Sequence, residues 1–289
     1  MTAIGAASLL TASASQSLAP IGLFDSGVGG LSVYQHLAKA LPNERFVYFA
    51  DTLNVPYGSR DSTEIQALTL SAVDWLCQQG CKLIVIACNS ASAYGLTAAR
   101  LTYPNLPIVG LVPALKPAVL ASQSRQVAVL ATKATLSGAL LNQVITEVAI
   151  PNQTQVIKYF DPELVPWVEA GMPMTSSTAK RLGRQLLDFS DHQVDHIVLG
   201  CTHYPFFKAF LNAEIAKNQL AMTVIDSGQA IAERVHYLLL QSNMIAPPHQ
   251  KRLQNQAPLP LAFYASKMDS HTKSLVQRLL GSKFCITFL

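Results

Sequence analysis

Cys88 and Cys201 occupy the same place in two near-copies of one phrase. IVIACNSASA at residues 84–93 and IVLGCTHYPF at residues 197–206 each run Ile-Val-hydrophobe-small-Cys and then turn abruptly polar. A thiol has a free pKa of about 8.5, so near neutrality it can accept or give a proton with modest tuning. Each thiol is followed by hydrogen-bonding groups: Asn89 and Ser90 after the first, Thr202 and His203 after the second. One Cys beside one His would suggest a nucleophile. Two in matching settings, 113 residues apart, suggest duplicated halves that face each other across a cleft. A substrate carbon between them could lose a proton to one thiolate and gain one from the other thiol on the opposite face, inverting its configuration. With extended backbone beyond each Cys, residues two apart share a face, which predicts Ser90 beside Cys88 and His203 beside Cys201.

The remaining thiols do not extend this pattern. Cys77 and Cys81 are spaced to share a helix face, and Cys285 falls in a terminal strand. No second ligand pair with metal spacing accompanies them, so they read as inert small hydrophobes and no metal site is expected. Five cysteines without regular spacing do not form a disulfide framework. Other polar chemistry also collects at strand ends. IGLFDSGVGGLSV at 21–33 places Asp25 and Ser26 after an apolar run, and its glycines lack the dinucleotide spacing and the Walker lysine of a phosphate loop. They are read as letting the backbone approach a small ligand at a helix N-terminus. FADTLNVPYGSR at 49–60 offers Pro56, Tyr57, Gly58 and Ser59 in a tight loop, and IDSGQAI at 225–231 echoes the first glycine segment.

The elements that must position these groups follow from apolar periodicity. Runs of 4 to 8 apolar residues alternate with helical patterns, which predicts an α/β fold with mostly parallel sheets. Strands are expected at 21–24, 46–50, 83–87, 108–111, 127–131, 155–159, 196–199, 223–225 and 261–264. Helices are expected at 31–40, 62–79, 137–148, 177–189 and 229–241, among others. In such sheets the strand ends that open helices are where ligands bind. The stretch 247–260 carries four prolines without apolar period and reads as a surface loop.

At 289 residues two domains are the natural prior. Half the residues are hydrophobic and 13% charged, as in compact globular proteins. No run approaches the roughly 18 apolar residues of a membrane span. Residues 1–19 read as a flexible extension; with no Lys or Arg before Lys39 the basic start of a signal peptide is missing, so a cytoplasmic location is expected. A net charge of +4 and a basic C-terminal segment read as a solvated surface, with no nucleic acid expected as partner.

Taken together, DSGVGGLSV, ADTLNVPYGS, ACNSASA, ATKATLSG and GCTHYPF resemble the cofactor-independent glutamate racemases over residues 20–282. The resemblance implies interconversion of L- and D-glutamate for peptidoglycan, without pyridoxal phosphate or metal. It implies two pseudosymmetric α/β domains, residues 20–112 with 225–289 and residues 113–224, with the active site in the cleft between them. By the same resemblance Cys88 takes the proton from D-glutamate and Cys201 from L-glutamate, supported by Asp25 and His203. Asp25, Ser26, Pro56, Tyr57, Gly58, Ser59, Asn89, Ser90, Thr132, Thr135, Thr202 and His203 match substrate contacts, and Glu169 in DPELVPWVEAG matches an acidic position near the His. A homodimer and regulation by a cell-wall precursor are left open. Ser90 stands where the family commonly has Thr, which keeps the hydroxyl. An aspartate or other amino-acid racemase of the same superfamily is the nearest rival among enzymes, and a non-catalytic small-molecule binding protein that keeps the cleft is the rival from another class.

Overall fold

The computed structural model describes residues 17–248 and 259–289. Two parallel sheets organise the chain. The first contains β1 (Ile21–Asp25), β2 (Phe46–Ala50), β3 (Leu83–Ile86), β4 (Ile108–Gly110), β9 (Leu261–Ala265) and β10 (Ile286–Phe288), in the order β10-β9-β2-β1-β3-β4. The second contains β5 (Gln126–Ala131), β6 (Gln155–Tyr159), β7 (His196–Gly200) and β8 (Thr223–Ile225), in the order β6-β5-β7-β8. Every strand pair is parallel. The central order β2-β1-β3-β4 of the first sheet therefore repeats in the second as β6-β5-β7-β8. In each, the strand order reverses beside its first strand, and the crevice at such a reversal is where open α/β sheets hold ligands. Cys88 follows β3 and Cys201 follows β7, the corresponding strands.

Helices cover both faces of these sheets, so the central strands are continuously apolar rather than alternating. Every residue of β1 and of β3 is buried. Ile21 and Leu23 point to the face packed by α1 (Leu31–Ala40), α10 (Gly228–Gln241) and α11 (Ser270–Leu280). Phe24, Ile84 and Ile86 point to the face packed by α2 (Ser62–Gln78) and α3 (Asn89–Thr102). The second lobe is closed by α4 (Leu115–Ala121), α5 (Lys133–Ser137), α6 (Ala139–Val144), α7 (Leu164–Glu169), α8 (Ser177–Asp191) and α9 (Lys208–Lys217). Among the described residues no helix is long and apolar enough to cross a membrane.

Three expectations change. The helix expected over 137–148 starts two residues late, because Gly138 adopts an extended conformation that ends α5 and caps α6, and it runs on through Ala149 with Ile145–Ala149 as a π turn. Cys77 and Cys81 do not share a helix face. α2 stops at Gln78, and Gly80 turns left-handed at φ 72° while its N–H bonds Cys77 O and the Cys81 N–H bonds Leu76 O, a Schellman closure that turns Cys81 inward. Cys285 is exposed and sits just before β10 rather than within it. Residues 1–16 of the expected extension and 249–258 of the expected proline-rich loop lie outside the described residues.

Beneath the strands, at the end away from the thiols, Lys82 is fully buried. Its Nζ donates to the carbonyls of Ser17 (2.6 Å) and Met244 (2.7 Å) and lies 2.6 Å from Glu44 Oε2, an ion pair without hydrogen-bond alignment. Glu44 Oε1 accepts from the Ala246 N–H at 2.8 Å. This cluster joins the entry to β1, the entries to β2 and β3, and the chain leaving α10. Removing one partner of a buried pair leaves the other charge uncompensated, at about 3–5 kcal/mol. Lys82→Met should accordingly lower Tm by roughly 6–15 °C in thermal denaturation, and a shift below about 2 °C would show the cluster to be energetically idle.

Candidate active site

Both thiols open onto one cavity of about 590 Å³ between the lobes. Cys88 lies at the N-cap of α3, its backbone extended, its Sγ accepting from the Ala91 N–H at 3.4 Å. The chain beyond it is helical, so the expected pairing with Ser90 does not form. Ser26 takes that place, its Oγ 3.5 Å from Cys88 Sγ, and Ser90 Oγ instead meets Thr132 Oγ1 at 2.9 Å across the lobe boundary. Thr132 caps α5 and is joined to Thr135. On the other wall, Cys201 ends β7, and the chain enters a 3-10 turn at Tyr204–Phe207. His203 stands at the start of this turn and not on an extended strand, close enough to Cys201 to feel its charge, and its Nε2 lies 3.0 Å from Glu169 Oε1.

Ser26, Pro56, Tyr57, Gly58, Ser59, Asn89, Ser90, Thr132, Thr135, Thr202, His203 and Glu169 all line the cavity. Asp25 does not. It is buried beneath the floor, with Oδ1 accepting from the Gly27 N–H at 2.6 Å and Oδ2 from Thr202 Oγ1 at 3.0 Å. Ser32 Oγ donates to the Thr202 carbonyl at 2.7 Å, so Thr202 is held to the first lobe at both its side chain and its backbone. Of the glycines of DSGVGG, Gly29 serves this approach, since a Cβ there would stand 2.3 Å from His203 Nδ1 and 2.6 Å from Thr202 Oγ1, Gly30 lies against Ala87 and Tyr48, and Gly27 lines the cavity as expected. Tyr57 turns its hydroxyl away from ligands, donating to Asp51 Oδ2 at 2.7 Å, and burial together with that bond holds its phenol neutral. Sequence reasoning passed over Asp161, although it stands in the stretch quoted for Glu169. Its buried carboxylate takes a two-pronged bond from Arg181 at 2.7 and 2.9 Å and fixes the wall at the start of α7. Lys133 and Phe160, whose cation and ring are 5.2 Å apart, complete the mouth.

The two thiols face different electrostatics. Burial, then the nearby Asp25 carboxyl, pushes the Cys88 thiol up to about 12, against the Ser26 and Ala91 bonds that favour thiolate. Asp25 is itself raised by burial, an effect that the His203 charge and the Gly27 and Thr202 bonds only partly offset. Beside Cys201 stands a cation: burial opposes charge on His203, but its bonds to Cys201 and Glu169 win and carry it to about 10. Glu169 is held low for the converse reason, its burial outweighed by His203. An imidazolium therefore backs one thiol and a carboxyl backs the other, which equips the cleft to remove a proton on one side while donating one on the other. Asn89 Oδ1 is buried and without a hydrogen-bond partner, an acceptor that the protein itself leaves unused. Among the described residues no group of three His, Cys, Asp or Glu side chains is placed to hold a metal ion.

Comparison with known proteins gives a consistent result. Residues 21–235 match the family model of the Asp/Glu/Hydantoin racemases. A glutamate racemase of Deinococcus radiodurans is 45% identical over 233 residues, covering 80% of this chain and 79% of its own. One of Roseiflexus sp. is 40% identical over 230 residues, covering 80% and 83%. Among solved structures, the glutamate racemase of Francisella tularensis in complex with D-glutamate matches with a TM-score of 0.77 at 25% identity, over 94% of this chain and 98% of that one. The Escherichia coli glutamate racemase in complex with L-glutamate and the activator UDP-MurNAc-ala matches with a TM-score of 0.74 at 29% identity, over 94% and 98%.

The His203 charge has a measurable signature. Because its folded pKa is raised from 6.5 to about 10, the stability it contributes is fully present below pH ~6.5 and is lost as pH rises through about 10. Nitrogen-15 NMR of the imidazole should show it protonated at pH 8, and Glu169→Gln should lower its midpoint, the Cys201 contribution remaining. A wild-type midpoint near 6.5 would contradict the ion pair.

Proposed function

The chain belongs to the Asp/Glu/Hydantoin racemase family and is a glutamate racemase, and from that premise we propose that it interconverts L- and D-glutamate by a two-thiol, two-base mechanism. One observation carries the reading: Cys88 and Cys201 end corresponding strands of two like-ordered sheets and line one cavity from its two lobes. In the L-to-D direction Cys201, backed by His203, takes the α-proton, while Cys88, held as the thiol by burial and Asp25, returns one to the opposite face. The reverse direction exchanges the roles, and no net proton is consumed.

The rest of the cavity suits a small zwitterion with a second carboxylate. On this reading Asn89, whose Oδ1 the protein leaves without a partner, accepts from the α-ammonium. The hydroxyls of Ser26, Ser90, Thr132 and Thr135, with backbone N–H groups of the 56–59 loop, supply neutral donors for carboxylates. Neutral donors do not fix a cation beside Cys88, so they leave its proton available. On this reading the product supplies D-glutamate for peptidoglycan from the cytoplasm, and regulation by a cell-wall precursor belongs to the same reading.

Two variants test the mechanism. Cys88→Ala and Cys201→Ala should each lower racemisation of L-glutamate by at least 10³-fold, a loss of about 4 kcal/mol in transition-state stabilisation, while Cys285→Ala stays within twofold. Wild-type enzyme in deuterated water should exchange the α-proton of L-glutamate and leave that of L-aspartate. Turnover by either active-site variant at more than a tenth of the wild-type rate would contradict the two-thiol reading; faster exchange of L-aspartate would reassign the substrate.

A further inference from the structure

Glu169 does two things at once. Its carboxylate pairs with His203 at the Cys201 wall, and its backbone carbonyl is the last of α7. In a continuing helix that carbonyl would accept from the N–H four residues on, but that residue is Pro173, which has none. The turn after α7 spends its N–H groups elsewhere: Ala170 bonds Pro166 O, Gly171 bonds Val168 O and Met172 bonds Trp167 O. The Glu169 carbonyl is met instead by the guanidinium of Arg278, which comes from α11 of the other lobe. That guanidinium also covers the turn, lying 3.8 Å from where a Cβ on Gly171 would stand. A cation at this point also complements the negative end of α7. The next residue, Leu279, packs against the apolar clusters of both lobes, and α11 is rooted in the first lobe by Leu275, Val276 and Leu280.

We propose that Arg278 is a positioning residue that clasps the Glu169 carbonyl from the opposite lobe and thereby keeps the Glu169–His203 pair aligned on Cys201. The clasp ties lobe approach to the readiness of one thiol and not the other. The Cys88 side has its own contact across the lobes, Ser90 Oγ to Thr132 Oγ1 at 2.9 Å, which does not involve Arg278, and the groups beside its thiol, Ser26 and Asp25, belong to the lobe that carries Arg278. The consequence rests on the two-thiol reading above: loss of the clasp slows proton removal by Cys201 and spares removal by Cys88.

Racemisation rates cannot separate the two sides, because each turnover uses both thiols, so the test uses elimination from the enantiomers of β-chloroglutamate. The α-proton passes to one thiolate, the electron pair left on Cα forms the Cα=Cβ bond, and chloride leaves from Cβ; the second thiol is not needed. With Arg278→Gln, chloride release from the L-analogue should fall at least fivefold and that from the D-analogue stay within twofold, and Arg278→Lys should recover at least half of the loss. Amide hydrogen exchange over residues 164–170 should quicken in Arg278→Gln and return toward wild type in Arg278→Lys. Equal loss on both enantiomers, loss on the D-analogue alone, or unchanged exchange over 164–170 would overturn the clasp. Cys88→Ser and Cys201→Ser serve as controls. If they fail to split the enantiomers, the base assignment is what fails, and the exchange measurement alone decides the role of Arg278.

Discussion

A buried carboxylate holds the two halves of this catalytic centre together. Asp25, at the end of β1, is almost wholly out of water, and one of its oxygens is given to Thr202 of the other lobe. Ser32 takes the Thr202 carbonyl in the same grip. Burying a carboxyl group is costly unless it is hydrogen-bonded, and here both oxygens are occupied by groups whose positions matter. The arrangement demands that the two chains come very close, which the absence of a side chain at Gly29 permits. Once Thr202 is fixed, its neighbours Cys201 and His203 have little freedom, and Cys201 must share a cavity with Cys88.

Chemical asymmetry is then laid over topological symmetry. The two sheets share one strand order, so the fold alone would present two equivalent thiols. Their surroundings make them different: a carboxyl behind Cys88, and an imidazolium paired to a carboxylate behind Cys201. A stereoinverting site needs this inequality, because at any moment one partner has to be base and the other acid. It also needs the inequality to be small enough for the roles to be exchanged, and neutral hydroxyl donors around the cavity serve that end better than fixed cations would.

Much of this was legible in the sequence because parallel strands buried on both faces announce themselves as short apolar runs. Phe46–Ala50, Gln155–Tyr159 and Thr223–Ile225 run as read, and the other expected strands differ by a residue at one end. The polar groups at their ends were legible for the same reason, since a run that stops at a hydroxyl or a glycine marks a strand's exit. What failed was local geometry beyond that exit. Cys88 caps a helix, so i and i+2 do not share a face there and Ser26, 62 residues away, becomes its partner. Gly29 looked like part of a ligand cradle because periodicity says nothing about which chain approaches it. Arg278 was illegible for a further reason: its value lies in the missing N–H of Pro173, and only the folded chain brings the two together.

The central claim is that two bases act on opposite faces of one carbon, and the isotope at that carbon reports it directly. L-Glutamate should be racemised in deuterated water to a few per cent conversion, and each enantiomer separated and examined for α-deuterium by NMR. If Cys201 removes the proton and Cys88 delivers one of its own, drawn from solvent, the D-glutamate formed carries deuterium at Cα while the L-glutamate recovered is still almost entirely protiated. D-Glutamate that retains the original proton, or equal deuterium in both enantiomers at early conversion, would mean that a single base serves both faces, and the two-thiol account would be wrong.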